Sequence, residues 1–517
     1  MTDNRHWVEI ITQKIIELKK PPYLITSGMT TSGPFHLGTL CEMLYPASIQ
    51  QYLINQGHTA RFIFFADILD AFDSVPSIFS QYDSMLAPHL GKPLVCVPDP
   101  LGCCQSLGDH FLNEAIEIGK KFELSPEVQK INELYGQGLF DKFASAYLKN
   151  EPLARETVAT SSLREKLPEY WNPIMPICQN CGRIATTRVT QFDDASYSYV
   201  CDRDVGYTRG CGHSGENKLT EHKYKITWRL HWPAWMNIYS STYGPSSAEG
   251  GGVDHHTRGG SWDTVVAVHD KILHSQPPVP YKFGFILLQG KKYSKSKGVG
   301  MGVSDVIQLT PPDVIKYSLL KPDVQENKDF DPTGNNMLRL YEDYQGASEL
   351  ANSDLESLSR ADRKRVIAFK FSTTKAKFKA KFIDVLLNYQ LYKDWSKTAE
   401  LVGDRDGVSY LSPYITRWLE LKYAPEEYQF EFAPRPPSNH EEAILAVAAS
   451  LRPGMSPEEI HNLIFTTAKQ QNIPPAEMFS ALYNTLISKD KGPRLGKLIY
   501  AIGVERTKKA ILEAGTN

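Results

Sequence analysis

Two patterns of apolar and polar positions divide this chain. Up to about residue 330, short runs that are apolar on both faces alternate with amphipathic stretches. Beyond that point apolar residues recur only at helical spacing. The first part predicts a helix over residues 6–19 and a strand from Tyr23 to Ser27. Gly28 and Gly33 punctuate a loop, Leu37 to Ile54 form a helix, and Arg61 to Ala66 form a second, nearly all-apolar strand. Pro93 to Val97 read as a third strand, with a helix from about Asp109 to Phe122. Strands lacking a polar face and separated by helices indicate a parallel sheet covered on both sides, the start of a doubly wound, Rossmann-like nucleotide-binding domain.

From about 125 to 225 this alternation breaks, and helical segments lead into a cysteine-bearing stretch. The α/β pattern resumes at Tyr224 to Trp228 and continues through a strand from Lys282 to Leu288. Helices are then expected at Asp343 to Ser357, Arg360 to Thr398, Tyr410 to Leu421, His440 to Leu451, Pro457 to Gln470, Pro475 to Leu486 and Lys497 to Ile502, with Pro434, Pro436 and Pro437 as a linker. The expected organisation is a sheet domain in two halves, 1–124 and 224–300, interrupted by an insertion at 125–223. A linker at 301–342 then leads to helical subdomains at 343–433 and 434–517.

The length of 517 residues agrees with several domains. Apolar residues make up 41% and charged residues 22%, as in ordinary globular proteins, and the net charge is -2. Any nucleic-acid site therefore has to be a local basic surface, such as the run from Arg360 through Arg363, Lys364, Arg365 and Lys370 to Lys375, Lys377, Lys379 and Lys381. No apolar run is long enough to span a bilayer, and the start lacks the core and cleavage site of a signal peptide, so a cytoplasmic location is expected.

The eight cysteines do not form the dense framework of a small secreted chain. Cys41, Cys96, Cys103 and Cys104 read as ordinary thiols. Cys178-x2-Cys181 with Cys201-x9-Cys211 can supply four thiolates to a structural zinc, and His213 is an alternative fourth ligand.

Two further stretches carry chemistry. Thr26-Ser-Gly-Met-Thr-Thr-Ser-Gly-Pro-Phe-His36-Leu-Gly38-Thr39 joins the first strand to a helix. A glycine-rich turn there lets backbone approach phosphates, the helix N-terminus favours their charge, and His36 can donate to a phosphate or ribose oxygen. Gly38 leaves room for a flat base. Lys291-Lys292-Tyr293-Ser294-Lys295-Ser296-Lys297-Gly298 is a cationic loop able to stabilise departing pyrophosphate. Alone, each is also compatible with a capped turn or a solvated basic loop. Their order on one predicted sheet is the stronger signal.

His36-Leu37-Gly38-Thr39 and Lys292-Tyr293-Ser294-Lys295-Ser296 resemble the HIGH and KMSKS signatures of class I aminoacyl-tRNA synthetases, with Thr39 for the second His and Tyr293 for Met. Ser27-Gly28-Met29-Thr30-Thr31-Ser32-Gly33, Trp232-Pro-Ala-Trp235, Gly252-Val-Asp254-His255 and Lys491-Gly-Pro-Arg-Leu-Gly resemble blocks of the class I lysine enzymes; the glutamyl and arginyl enzymes are the neighbouring alternatives, and a non-charging paralogue is a further one.

The resemblance implies a HUP-type catalytic domain, a zinc-bearing insertion and an all-α anticodon-binding cage. It implies lysine, ATP with Mg²⁺, and tRNA(Lys) as substrates, and a monomer is expected. By family position, His36, Thr39, Lys292, Lys295 and Ser296 are the catalytic candidates. Gly33, His36, Gly38, Thr39, Gly252, Asp254 and Lys295 are the ATP-binding candidates. Gly28, Thr30, Glu42, Trp232, Trp235 and His255 are the lysine-binding candidates. Asp70 is a weaker candidate for the same site. A surface helix glutamate and ordinary core tryptophans are the competing readings of Glu42 and the Trp pair.

Overall fold

The computed structural model describes residues 4–193, 195–292, 302–373 and 379–514, Lys292 through its backbone alone. The chain forms two compact units, one of Met1–Asp305, Lys316–Phe330 and Asp354–Ser372, the other of Val306–Ile315, Asp331–Ser353 and Thr373–Asn517.

The first unit is built on a five-stranded sheet in the order Val279–Phe283, Ala248–Gly252, Tyr23–Met29, Ala60–Ala66, Glu127–Lys130. All neighbouring pairs are parallel. Tyr23, Leu24 and Ile25 and all of Phe62 to Ala66 are buried, as a sheet covered on both faces requires. From Tyr23–Met29 the chain first adds strands on one side, then returns to add Ala248–Gly252 on the other. That reversal opens a crevice at the carboxyl ends of the two strands, where open α/β sheets bind ligands.

Three sequence expectations change here. Pro93 to Val97 is not a strand: Leu94–Cys96 is a single 3-10 turn. The run is flanked by Pro93 and Pro98, which have no N–H to give a ladder. The further strand is instead Glu127–Lys130, an edge strand whose polar side chains disguised it. The strand expected from Lys282 to Leu288 breaks at Gly284, where a Cβ would lie 2.3 Å from the Glu326 carbonyl. Ile286–Leu288 therefore leaves the large sheet, pairing in parallel with Lys328–Phe330 and antiparallel with Lys291–Lys292. The two signature stretches thus follow different sheets.

Gly28 is required by packing. It faces Phe65 in the parallel register, and a Cβ would meet the Phe65 carbonyl at 2.6 Å and the Trp235 ring at 3.1 Å. Gly28→Ala is expected to lower stability by about 1–3 kcal/mol through overpacking, seen as an earlier midpoint in urea unfolding with an unchanged slope.

The second unit is helical throughout its C-terminal part: Phe382–Tyr392, Trp395–Val402, Arg405–Glu420, Glu441–Ser450, Pro457–Gln470, Pro475–Ile487, Leu495–Ile502 and Val504–Ala514. The expected long helix from Arg360 to Thr398 is not continuous. Arg360–Ser372 belongs to the first unit, and Asp394 caps a new helix by accepting from the Ser396 and Lys397 N–H groups. Within the basic run, Arg363 pairs with Glu9 at 2.7 Å, Lys364 with Asp323 at 2.7 Å and Arg365 with Asp362 at 3.0 Å, so these three are committed to the fold. Lys375 and Lys377 lie outside the described residues. No helix among the described residues is long and apolar enough to cross a membrane.

Candidate functional site

The helix Leu37–Asn55 starts at the mouth of the crevice, and His36 is its N-cap. The His36 Nδ1 accepts from the Thr39 N–H at 3.2 Å, and the Thr39 hydroxyl accepts from the His36 N–H at 2.9 Å, a reciprocal capping box. An accepting Nδ1 puts the proton of the neutral ring on Nε2, the donor a phosphate or ribose oxygen would need. The Thr39 hydroxyl gives its own proton to the His36 carbonyl at 2.7 Å. Thr39 therefore orients His36 instead of reaching outward. Gly38, two residues on, leaves the His36 ring its space. A Cβ there would sit 3.0 Å from the His36 ring, so the missing side chain makes room for the imidazole. Gly33 is buried in the loop between strand and helix.

Farther along this helix and on the neighbouring strand the surroundings are acidic and aromatic. Glu42, one turn into the same helix, accepts from the Ser27 hydroxyl at 2.8 Å. Burial, reinforced by the neighbouring Glu249 and Asp254 carboxylates and opposed by Ser27, pushes its carboxyl up to about 8. Glu249 was not singled out from the sequence. It lies beside Thr26 in the sheet register, is 1% exposed, and is pushed up to about 7 by burial. Its Oε1 accepts from the Trp232 Nε1 at 2.9 Å and the Trp235 Nε1 at 3.3 Å, and its other oxygen accepts the Thr26 hydroxyl. The signal available was a lone glutamate in the otherwise small and apolar strand Ala248–Gly252, whose two faces are covered.

Trp228, Trp232 and Trp235 fall at helical spacing on Trp228–Trp235 and share one face. Trp228 and Trp232 stack with centroids 5.4 Å apart, and Trp235 stacks on Phe65 at 5.4 Å. Trp232 and Trp235 are themselves buried, so they form the wall from behind, tied by Glu249. His255 packs 5.4 Å from Trp232 and is held below the usual histidine range by burial, against the opposing pull of Asp254. His256, also missed, stacks on Trp262 at 5.0 Å and is lowered to about 4, chiefly by burial. Gly252 lets the Asp254 carboxylate turn back over the strand end; a Cβ there would meet it at 2.6 Å. Thr30 donates to Asp70 at 2.5 Å.

Lys292 closes the hairpin that follows Ile286–Leu288, whose turn uses Gln289 and Gly290 at positive φ. Lys295 and Ser296 lie outside the described residues. The helix start at His36 suits an anion, and the two buried carboxyl groups, Glu42 on that helix and Glu249 among the tryptophans, suit a cation.

The family described as tRNA synthetases class I (K) matches residues 5–373. A lysine–tRNA ligase of Archaeoglobus fulgidus is 31% identical, over 98% of this chain and 100% of its own length. Lysine–tRNA ligase 1 of Methanosarcina acetivorans is 29% identical, over 95% of each. The chain belongs to the class I (K) tRNA synthetases.

In this class I chain the segment between the strands Glu127–Lys130 and Tyr224–Ile226 carries a compact thiol group. Cys178 and Cys211 have their sulfurs 3.7 Å apart, as do Cys181 and Cys201, and all four atoms lie within 4.8 Å of one another. A tetrahedral ion with Zn–S bonds of about 2.3 Å has S···S edges of about 3.8 Å, so the set fits. Gly182 and Gly212 follow a cysteine of each pair at positive φ, as tight knuckles demand. His213 is not in the group; its ring lies 6.2 Å from Tyr199.

A second cluster is formed by two of the cysteines that read as ordinary thiols. The Cys103 sulfur is 3.1 Å from Asp99, 3.4 Å from the Cys104 sulfur and 3.3 Å from the His110 Nδ1, and the four ligand atoms share a 4.8 Å sphere. The spacing Asp99-x3-Cys103-Cys104-x5-His110 could hold a cation and was visible in the chain. Asp99 and His110 bracket a loop and a helix start that only the fold brings together.

Proposed function

We propose that this chain is an ATP-dependent lysine–tRNA ligase, acting as a monomer in the cytoplasm. The observation that carries this reading is a pair of buried carboxyl groups, Glu42 on the helix that His36 caps and Glu249 held among tryptophans, a setting that suits a substrate ammonium. Relatives matching nearly the whole chain bear the name lysine–tRNA ligase. In the reaction the lysine carboxylate attacks the α-phosphorus of ATP and pyrophosphate leaves; a terminal ribose hydroxyl of tRNA(Lys) then attacks the carbonyl of the adenylate, taking the lysyl group and releasing AMP. Mg²⁺ accompanies ATP and is held largely by its phosphates.

Within that reaction His36 Nε2 donates to a phosphate or ribose oxygen, and Thr39 holds the ring in place. Glu42, with Gly28, Thr30 and His255 around it, takes a substrate ammonium. Gly252 and Asp254 border the ATP ribose, with Gly33 and Gly38 shaping the turn. Lys292, Lys295 and Ser296 serve the phosphates. Amino-acid-dependent exchange of pyrophosphate into ATP, run with all twenty amino acids and with tRNA present, tests the assignment. Lysine-dependent exchange is expected; exchange driven by glutamate or arginine instead, or none at all, rejects it.

Cys178, Cys181, Cys201 and Cys211 hold a structural Zn²⁺. A full thiolate shell leaves no open position, so the ion acts through folding alone. Cys178→Ser is expected to release about one zinc equivalent by colorimetric assay and to expose the 174–226 segment to limited proteolysis.

A further inference from the structure

Lys225, in the short strand Tyr224–Ile226, is fully buried, and a buried ammonium persists only when it is paired. It is paired twice. Its Nζ donates to Asp67 Oδ2 at 2.7 Å and also to Asp70 Oδ1. Asp67 directly follows the strand Ala60–Ala66, and its N–H bonds the Met29 carbonyl at 2.9 Å, so the anchor is fixed to the sheet. The second oxygen of Asp70 accepts the Thr30 hydroxyl at 2.5 Å. Burial disfavours the charged amine, but Asp67 and Asp70 outweigh it and raise Lys225 above the ordinary lysine range. His231, buried 3.5 Å from Asp67, is kept neutral by burial and by Lys225, and brings no further charge.

A threonine hydroxyl has one proton and two lone pairs. When the proton goes to Asp70, only lone pairs are left for the crevice. An ammonium can donate to them, whereas a carboxylate or another acceptor finds no proton there.

We propose that Lys225 is a specificity-determining positioning residue: by holding Asp70 against Thr30, it fixes the Thr30 hydroxyl as an acceptor and so favours an ammonium-bearing substrate. The proposal rests on the lysine–tRNA ligase reading, with Thr30 in the amino-acid pocket. Lys225 sits on the strand that closes the insertion by pairing with Ile174–Pro176, so the insertion contributes to substrate choice through this contact.

The test is lysine-dependent ATP–pyrophosphate exchange on the full chain, with thermal melting of each variant. Lys225→Met is expected to raise the KM for lysine at least tenfold while kcat stays within about threefold. Asp70→Asn keeps the side-chain shape and leaves Lys225 its Asp67 partner. It is expected to act in the same direction, and it decides the matter alone if Lys225→Met does not fold. The Thr30→Val, Lys225→Met double variant is expected to be no worse than Thr30→Val. An unchanged KM in the folded single variants, a loss confined to kcat, or additive effects in the double variant would overturn the proposal while leaving lysine activation standing. A wild-type protein that activates no lysine would remove the functional reading and this proposal with it.

Discussion

Lys295→Ala is expected to slow lysine-dependent adenylate formation about 10²–10³-fold, with the Kd for lysine changed less than about twofold. The effect depends on when charge develops. Lysine in its ground state has no use for a cation beside the triphosphate. Negative charge gathers on the β- and γ-phosphates only as the bond to the α-phosphorus lengthens, so a donor that meets this charge lowers the barrier without tightening amino-acid binding. Pre-steady-state adenylate formation at saturating lysine and ATP, paired with equilibrium lysine binding, separates the two quantities. A rate within threefold of wild type removes Lys295 from the chemistry. A parallel loss of lysine affinity shows that the stretch supports the pocket instead.

The second large effect concerns Glu42. Glu42→Gln is expected to raise the KM for lysine by about 30-fold or more, since removing one partner of a desolvated charged pair costs about 2–5 kcal/mol. The pH dependence gives the sharper signature. Burial pushes the Glu42 carboxyl up to about 8, so in the free protein it is largely protonated at pH 6 and largely ionised above pH 8. An ammonium ligand needs the ionised form, and binding displaces the proton. The KM for lysine is therefore expected to fall as the pH rises from 6 to 8, by up to about tenfold per unit, and then to level. Glu42→Gln should flatten that slope. A KM independent of pH across this window in the wild-type protein would show that Glu42 does not pair with the substrate.

At Glu42 local pattern stops being informative. A glutamate six residues after His36 reads equally well as a solvated helix residue, because composition does not say which face of the helix the sheet covers. Burial, helped by the Glu249 and Asp254 carboxylates and opposed by the Ser27 hydroxyl, converts an ordinary carboxyl into one that stays protonated near neutrality. Glu249 was harder still. Its strand, Ala248–Gly252, is poor in branched and aromatic residues, and what holds it is the parallel pairing on both sides, a non-local fact.

What the chain determined by itself was everything that depends on neighbours in sequence. The apolar strands Tyr23–Met29 and Ala60–Ala66, the capped helix start at His36, the helical periodicity of the C-terminal half and the Cys178-x2-Cys181 knuckle follow from local propensity, capping and ligand spacing, which act over a few residues. What only the tertiary structure decided were choices settled by contacts between distant segments. Glu326 stops the strand at Gly284 and sends the following residues into another sheet. Asp99 and His110 meet Cys103 and Cys104. Lys225, some 155 residues from Asp70, pairs with the carboxylate that accepts the Thr30 hydroxyl. Pairings of that kind are selected by burial and by the cost of leaving a charge or hydrogen-bonding group unmatched in a low-dielectric interior, and that cost is set once the whole chain has packed.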